Sequence, residues 1–150
     1  MDFYTDGSRI GLNSGNPCIG WSAICNYKVI VAKHRVGGSN INAEIFAIRD
    51  LLKSLTSYNK TLILDEECIN IYTDSKTSLQ IIDIAKDNKS MDNENYDAAY
   101  SILEYIEKIE NMGKSLSFHH IRGHQGILGN TFADYVATSE AEKARLEIGV

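Results

Sequence analysis

Apolar residues change their spacing several times along this chain, and each change marks an element. Phe3-Tyr4-Thr5-Asp6 alternates and stops at Gly7-Ser8, which predicts a strand over residues 2–6 running into a turn. Turn signals follow at Gly11, Asn13 and Gly15-Asn16-Pro17. Residues 19–26 and 28–36 predict two strands joined at Asn26-Tyr27 as a hairpin and ended by Gly37-Gly38. From Asn40 the period becomes helical, with Ile41, Ile45, Ile48, Leu52 and Leu55 on one stripe of a helix reaching about Thr56. A short strand is expected over residues 69–73, after which Asp74-Ser75 opens a helix carrying Leu79, Ile82 and Ile84. A polar loop over 86–95, a helix over 96–112 closed by Gly113, a strand over 116–121 and a helix over 130–146 complete the pattern. The order predicts an α/β fold with a mixed sheet, a hairpin first and then parallel strands that cross over through helices.

Composition changes this picture little. No break marks a boundary, so residues 1–150 are read as one domain, and 43% hydrophobic content supports one core. The apolar runs are too short to span a bilayer, and the N-terminus shows no secretory signal, so no membrane partner is expected. Cys18, Cys25 and Cys68 are odd in number and lack metal-ligand spacing, which fits an intracellular, reducing compartment, cytoplasm or nucleus. A net charge of −5 argues against a protein that wraps phosphate backbones, although a metal-dependent nuclease also needs a cluster of acids.

The chemistry lies in four acids. Phe3-Tyr4-Thr5-Asp6 and Ile71-Tyr72-Thr73-Asp74 repeat one phrase at two strand ends. Side chains alternate along a strand, so each Asp shares a face with its Tyr, and neighbouring strands would bring the two carboxylates side by side. Either Asp alone is better read as a turn or cap residue; the matched pair favours a site. Glu44 joins the buried stripe of Ile48, Leu51 and Leu55, where an acid is costly unless paired or metal-bound. A capping-box role requires Ser, Thr, Asp or Asn at position 41, which is Ile. Asp134 stands near the start of the last helix, and His124 precedes it in a loop built on Gly123, Gly126 and Gly129. Four converging carboxylates suit Mg²⁺, which takes hard oxygen ligands, and two such ions about 3.5–4 Å apart promote phosphodiester cleavage.

Tyr4-Thr5-Asp6-Gly7-Ser8, Asn42-Ala43-Glu44-Ile45-Phe46-Ala47-Ile48, Ile71-Tyr72-Thr73-Asp74-Ser75 and the run from Gly123-His124-Gln125-Gly126 through Gly129-Asn130 to Ala133-Asp134 resemble the four signature blocks of type 1 ribonuclease H. They stand in the family's order, and the phrasing resembles retroelement members most. The resemblance implies a ribonuclease H-like fold, a mixed five-stranded sheet flanked by helices. It implies an endonuclease that hydrolyses the RNA strand of RNA–DNA hybrids with two Mg²⁺ ions per site, Mn²⁺ being an alternative, leaving 5′-phosphate and 3′-hydroxyl ends. Asp6 would bridge both ions, Asp134 would help hold the water-activating one, and Glu44 and Asp74 the one at the leaving group. His124 matches the family's loop histidine and would handle protons or product release.

Substrate contacts are expected from Ser8, Asn16, Asn40, Lys76 and Arg122, with Lys33 and Arg35 adding phosphate contacts. The segment 86–95 lacks the basic, tryptophan-bearing handle of many cellular members, and Ile41 replaces a polar residue next to Asn40. Weak hybrid binding, aided by a protein partner, is the resulting expectation, with the chain taken as a monomer. Two rival readings stand beside this one: a resolvase- or integrase-type DNA nuclease on the same fold, and a non-catalytic nucleic-acid-binding module.

Overall fold

The computed structural model describes residues 1–11, 16–123 and 126–148. Strands β1 (Asp2–Ile10), β2 (Cys18–Cys25) and β3 (Lys28–Val36) are followed by helix α1 (Asn40–Leu55) and a 3₁₀ turn at Lys60–Ile63. Then come β4 (Cys68–Thr73), α2 (Lys76–Asp87), α3 (Glu94–Asn111), β5 (Ser115–His120) and α4 (Leu128–Glu147). The sheet order is β3-β2-β1-β4-β5; β1–β2 and β2–β3 are antiparallel, while β1–β4 and β4–β5 are parallel. This is the mixed five-stranded sheet expected from the sequence. Among the described residues no helix is long and apolar enough to cross a membrane.

Local chemistry accounts for the elements. Asn26 and Tyr27 take φ of 51° and 61°, the left-handed pair that matches a two-residue hairpin to strand twist. Ser39 caps α1: its hydroxyl accepts from the Asn42 N–H, while the Asn42 side chain accepts from the Ser39 N–H. Phe3, Ile45, Ile48, Leu51, Leu52, Ile69, Ile71 and Ile102 are fully buried between the sheet and the helices packed on one of its faces. Helix α4 covers the opposite face over β1, β2 and β3.

Two expectations change. The first strand does not turn at Gly7-Ser8; it pairs with β2 as far as Ile10↔Cys18. Glycine is tolerated there because α1 begins directly against it: a Cβ on Gly7 would lie 2.5 Å from the Glu44 backbone nitrogen. In α2, Ile82 is buried but Ile84 is exposed, since two residues carry the chain about 200° round a helix and off the apolar stripe. Within the polar stretch after α1, a 3₁₀ turn places Ile63 in the core.

Candidate active site

The repeated Tyr-Thr-Asp phrases lie in one register. In the parallel β1–β4 pair Tyr4 stands opposite Tyr72, with the rings stacked at 4.9 Å, so Asp6 and Asp74 emerge side by side two residues later. Asp74 follows the last residue of β4, and Ser75 caps α2 by accepting from the Ser78 N–H at 3.2 Å. Gly7 lets α1 deliver Glu44 beside Asp6. One carboxylate oxygen from each of Asp6, Glu44 and Asp74 lies within 4.8 Å of the others.

Helix α4 supplies the fourth acid. Its Ala133, Ala137, Ala141 and Ala144 are fully buried, and β2 meets this small stripe with Gly20 and Ser22. A Cβ on Gly20 would sit 2.3 Å from the Ala137 carbonyl oxygen, and Ser22 Oγ donates to the Ala133 carbonyl oxygen at 2.7 Å. The helix is thereby held close to the sheet, and Asp134 lines a cavity of about 50 Å³ with Asp6, Asp74, Asn130 and Thr131. The four predicted acids therefore meet, with Asp134 across the cavity from the tight trio.

The electrostatics follow from crowding. Burial, then the charge of Asp74, and further that of Asp134 push the Asp6 carboxyl up to about 8, although the Gly7 N–H donating at 2.9 Å opposes this. Burial, followed by the charges of Asp6 and Asp74, drives Glu44 well above the ordinary glutamate range. Glu44 Oε2 and Asn130 Oδ1 are buried without a hydrogen-bond partner among the described residues. Such a set of oxygens, acceptor-rich and donor-poor, fits a hard divalent cation. Asp6, Glu44, Asp74 and Asp134 are the residues that would hold it.

Comparison with known proteins bears on the same residues. The RNase H family model matches residues 1–142, a span that includes all four acids. The chain belongs to the RNase H family. Among solved structures that resemble this RNase H chain is RNase H1 from Halobacterium salinarum, at 17% identity and a TM-score of 0.62, covering 95% of this chain and 98% of that one. LC11-RNase H1, isolated from compost and solved in complex with RNA/DNA hybrid, is similar at 20% identity and a TM-score of 0.63, covering 95% and 97%. The protease–reverse transcriptase of prototype foamy virus matches at 22% identity and a TM-score of 0.69, covering 93% of this chain and 20% of that one. No curated protein sequence matches the chain significantly.

The remaining predicted residues that the structure describes lie outside the acid cavity of this RNase H chain. Ser8 continues β1 beyond Asp6, and its hydroxyl accepts from Thr138 Oγ1 on α4. Asn40 and Lys76 are exposed first residues of α1 and α2, and Asn16 and Arg122 are exposed beside their turns. None of these five lines the acid cavity. Lys33 and Arg35 are already engaged, with Asp50 at 3.7 Å and Glu94 at 2.7 Å. His124 lies outside the described residues, but the chain leading to it touches the site: a Cβ on Gly123 would stand 2.9 Å from Asp74 Oδ2. Asn130, to which the sequence assigns no role, precedes Asp134 by four residues on the same face of α4.

Proposed function

We propose that this RNase H family chain cuts the RNA strand of RNA–DNA hybrids at the cluster of four acids. The carrying observation is the meeting of Asp6, Glu44 and Asp74 within 4.8 Å, with Asp134 on the same cavity. Isolated carboxylates this close repel one another, and the arrangement is compensated by divalent cations, Mg²⁺ or Mn²⁺, held by these oxygens. When bound, two such ions activate a water and stabilise the departing oxygen of a phosphodiester.

The chain's own residues do the rest. Asp6, whose carboxyl feels the charges of both Asp74 and Asp134, would be the acid shared between the ions. The middle of β1, the end of β4, α1 and the early turns of α4 fix the carboxylates relative to one another before substrate arrives, which lowers the cost of ordering the site. Water adds across the bond between phosphorus and the 3′ oxygen. Its hydroxyl remains on phosphorus as a 5′-phosphate, and its proton finishes on the 3′ oxygen, a transfer His124 is placed in sequence to assist. Ser8, Asn16, Asn40, Lys76 and Arg122 are the candidate hybrid contacts.

A gel assay tests this reading. Labelled RNA–DNA hybrid, duplex RNA and duplex DNA are incubated with Mg²⁺, Mn²⁺ or EDTA. Cleavage of RNA in the hybrid alone, dependent on the cation and lost in Asp74→Asn, is expected; cutting of duplex DNA instead would favour the resolvase-type reading. His124→Ala should slow single-turnover cleavage by up to about 10²–10⁴-fold while leaving a measurable rate, because general acid–base help is one contribution among several.

A further inference from the structure

Asn130 shares the cavity of Asp6, Asp74 and Asp134 without being an acid. It is a neutral side chain, only 5% exposed, in the first turn of α4. Its Oδ1 is buried with no hydrogen-bond donor among the described residues, and it lines the cavity with Asp6, Asp74 and Asp134. A buried carbonyl oxygen without a donor is unfavourable in a folded protein and is rare. Carboxylates cannot supply the missing donor when ionised, since they only accept. Once a bound cation holds the surrounding acids ionised, that cation or a water on it satisfies this oxygen. The helix backbone beside it is seated firmly on the sheet, because Ala133 is fully buried and its carbonyl accepts from Ser22 Oγ.

We propose that Asn130 is a fifth protein ligand of the divalent-cation site, its Oδ1 coordinating the ion held beside Asp134 or accepting a hydrogen bond from a water on that ion. This deepens the two-cation reading and rests on it. An amide adds an acceptor without adding negative charge, so it raises cation affinity without increasing the repulsion among four carboxylates. That distinguishes its role from a fifth acid.

The test is cation binding, followed by calorimetry and by the Mg²⁺-induced rise in melting temperature, for the parent, Asn130→Leu and Asn130→Asp. Leu keeps the shape and removes the acceptor; the Kd for Mg²⁺ should rise about tenfold, as for other polar partners of metal ligands. In EDTA, Asn130→Leu should melt no lower than the parent, since an unpaired acceptor has been removed. Asn130→Asp should melt lower in EDTA, with a larger Mg²⁺-induced rise than the parent. If Asn130→Leu binds Mg²⁺ as the parent does, the assignment is wrong while the four-acid site stands. A lower melting point in EDTA with an unchanged Mg²⁺ response would make Asn130 a structural donor, which also overturns it. A parent that binds no Mg²⁺ or Mn²⁺ would remove the two-cation reading and this inference together.

Discussion

Burial and neighbouring charge raise the Asp6 carboxyl strongly, and that has a pH signature. The unfolded chain releases its proton near the ordinary value of 3.8, whereas the folded protein retains it up to about 8. Between those values the folded state binds more protons than the unfolded one, so stability falls as pH rises through this window and levels off above it. Glu44, raised in the same direction, adds to the fall. His34, raised chiefly by its hydrogen bond to Glu147 and further by Glu140, loses its contribution over the same direction of pH, so it is the control to separate. In EDTA the parent should therefore melt higher at pH 5.5 than at pH 8.5, and the difference should shrink in Asp6→Asn but persist in His34→Gln. At pH 8.5 without metal, Asp6→Asn should exceed the parent in stability by about 1–2 kcal/mol while losing cleavage, a stability–function trade-off. Thermal unfolding at both pH values decides it: equal pH dependence in the parent and Asp6→Asn would mean that the acids do not couple. The readable part of this site was the matched phrase ending in Asp6 and Asp74, because alternation along strands is strict. The burial of Glu44 was readable from its stripe. Asn130 was not, since a polar residue at a helix start has many solvated counterparts.

At the scale of elements, close approach of backbones sets the site more than large side chains do. Helix α4 buries alanines, and its seat depends on Gly20, whose hypothetical Cβ would also lie 2.3 Å from the Ala141 nitrogen. Backbone atoms cannot move aside as a flexible side chain can. Gly20→Ala should therefore lift α4, costing about 3 kcal/mol as overpacking. For a chain of this length that corresponds to roughly 6–12 °C in Tm. Because Asp134 and Asn130 ride on the same helix, the variant should also bind Mg²⁺ more weakly. Differential scanning calorimetry with and without Mg²⁺ measures both; a fall in Tm with unchanged cation affinity would show that the helix reseats without disturbing the acids. The helical period of this segment is visible in sequence, but a stripe of alanines carries little hydrophobic signal, so the depth of packing is not.

Across the whole molecule the charge balance governs substrate affinity. The net charge is −5, and two of the expected cationic contacts, Lys33 and Arg35, are spent on Asp50 and Glu94. Exposed Lys76 and Arg122 remain near the strand ends. With about two phosphate contacts, hybrid affinity should fall roughly 12-fold between 50 and 200 mM salt, because each neutralised phosphate releases counterions. Fluorescence anisotropy with catalytically silent Asp74→Asn and Ca²⁺ in place of Mg²⁺ follows binding without cleavage. Tight binding that is indifferent to salt would contradict a surface this acidic.

The amino-acid sequence alone determined the order of elements, the mixed sheet, the pairing of Asp6 with Asp74 and the candidacy of Glu44 and Asp134. Those are consequences of periodicity and of spacing within short segments, which act locally. Only the tertiary structure decided that β1 continues through Gly7, that Lys33 and Arg35 find acids on α1 and α3, and that Asn130 Oδ1 is sealed into the cavity. Each of these depends on which backbone lies against which across long sequence separations. Neighbouring side chains in sequence do not specify that; the joint packing of β1 and β2 against α1 on one face and α4 on the other does.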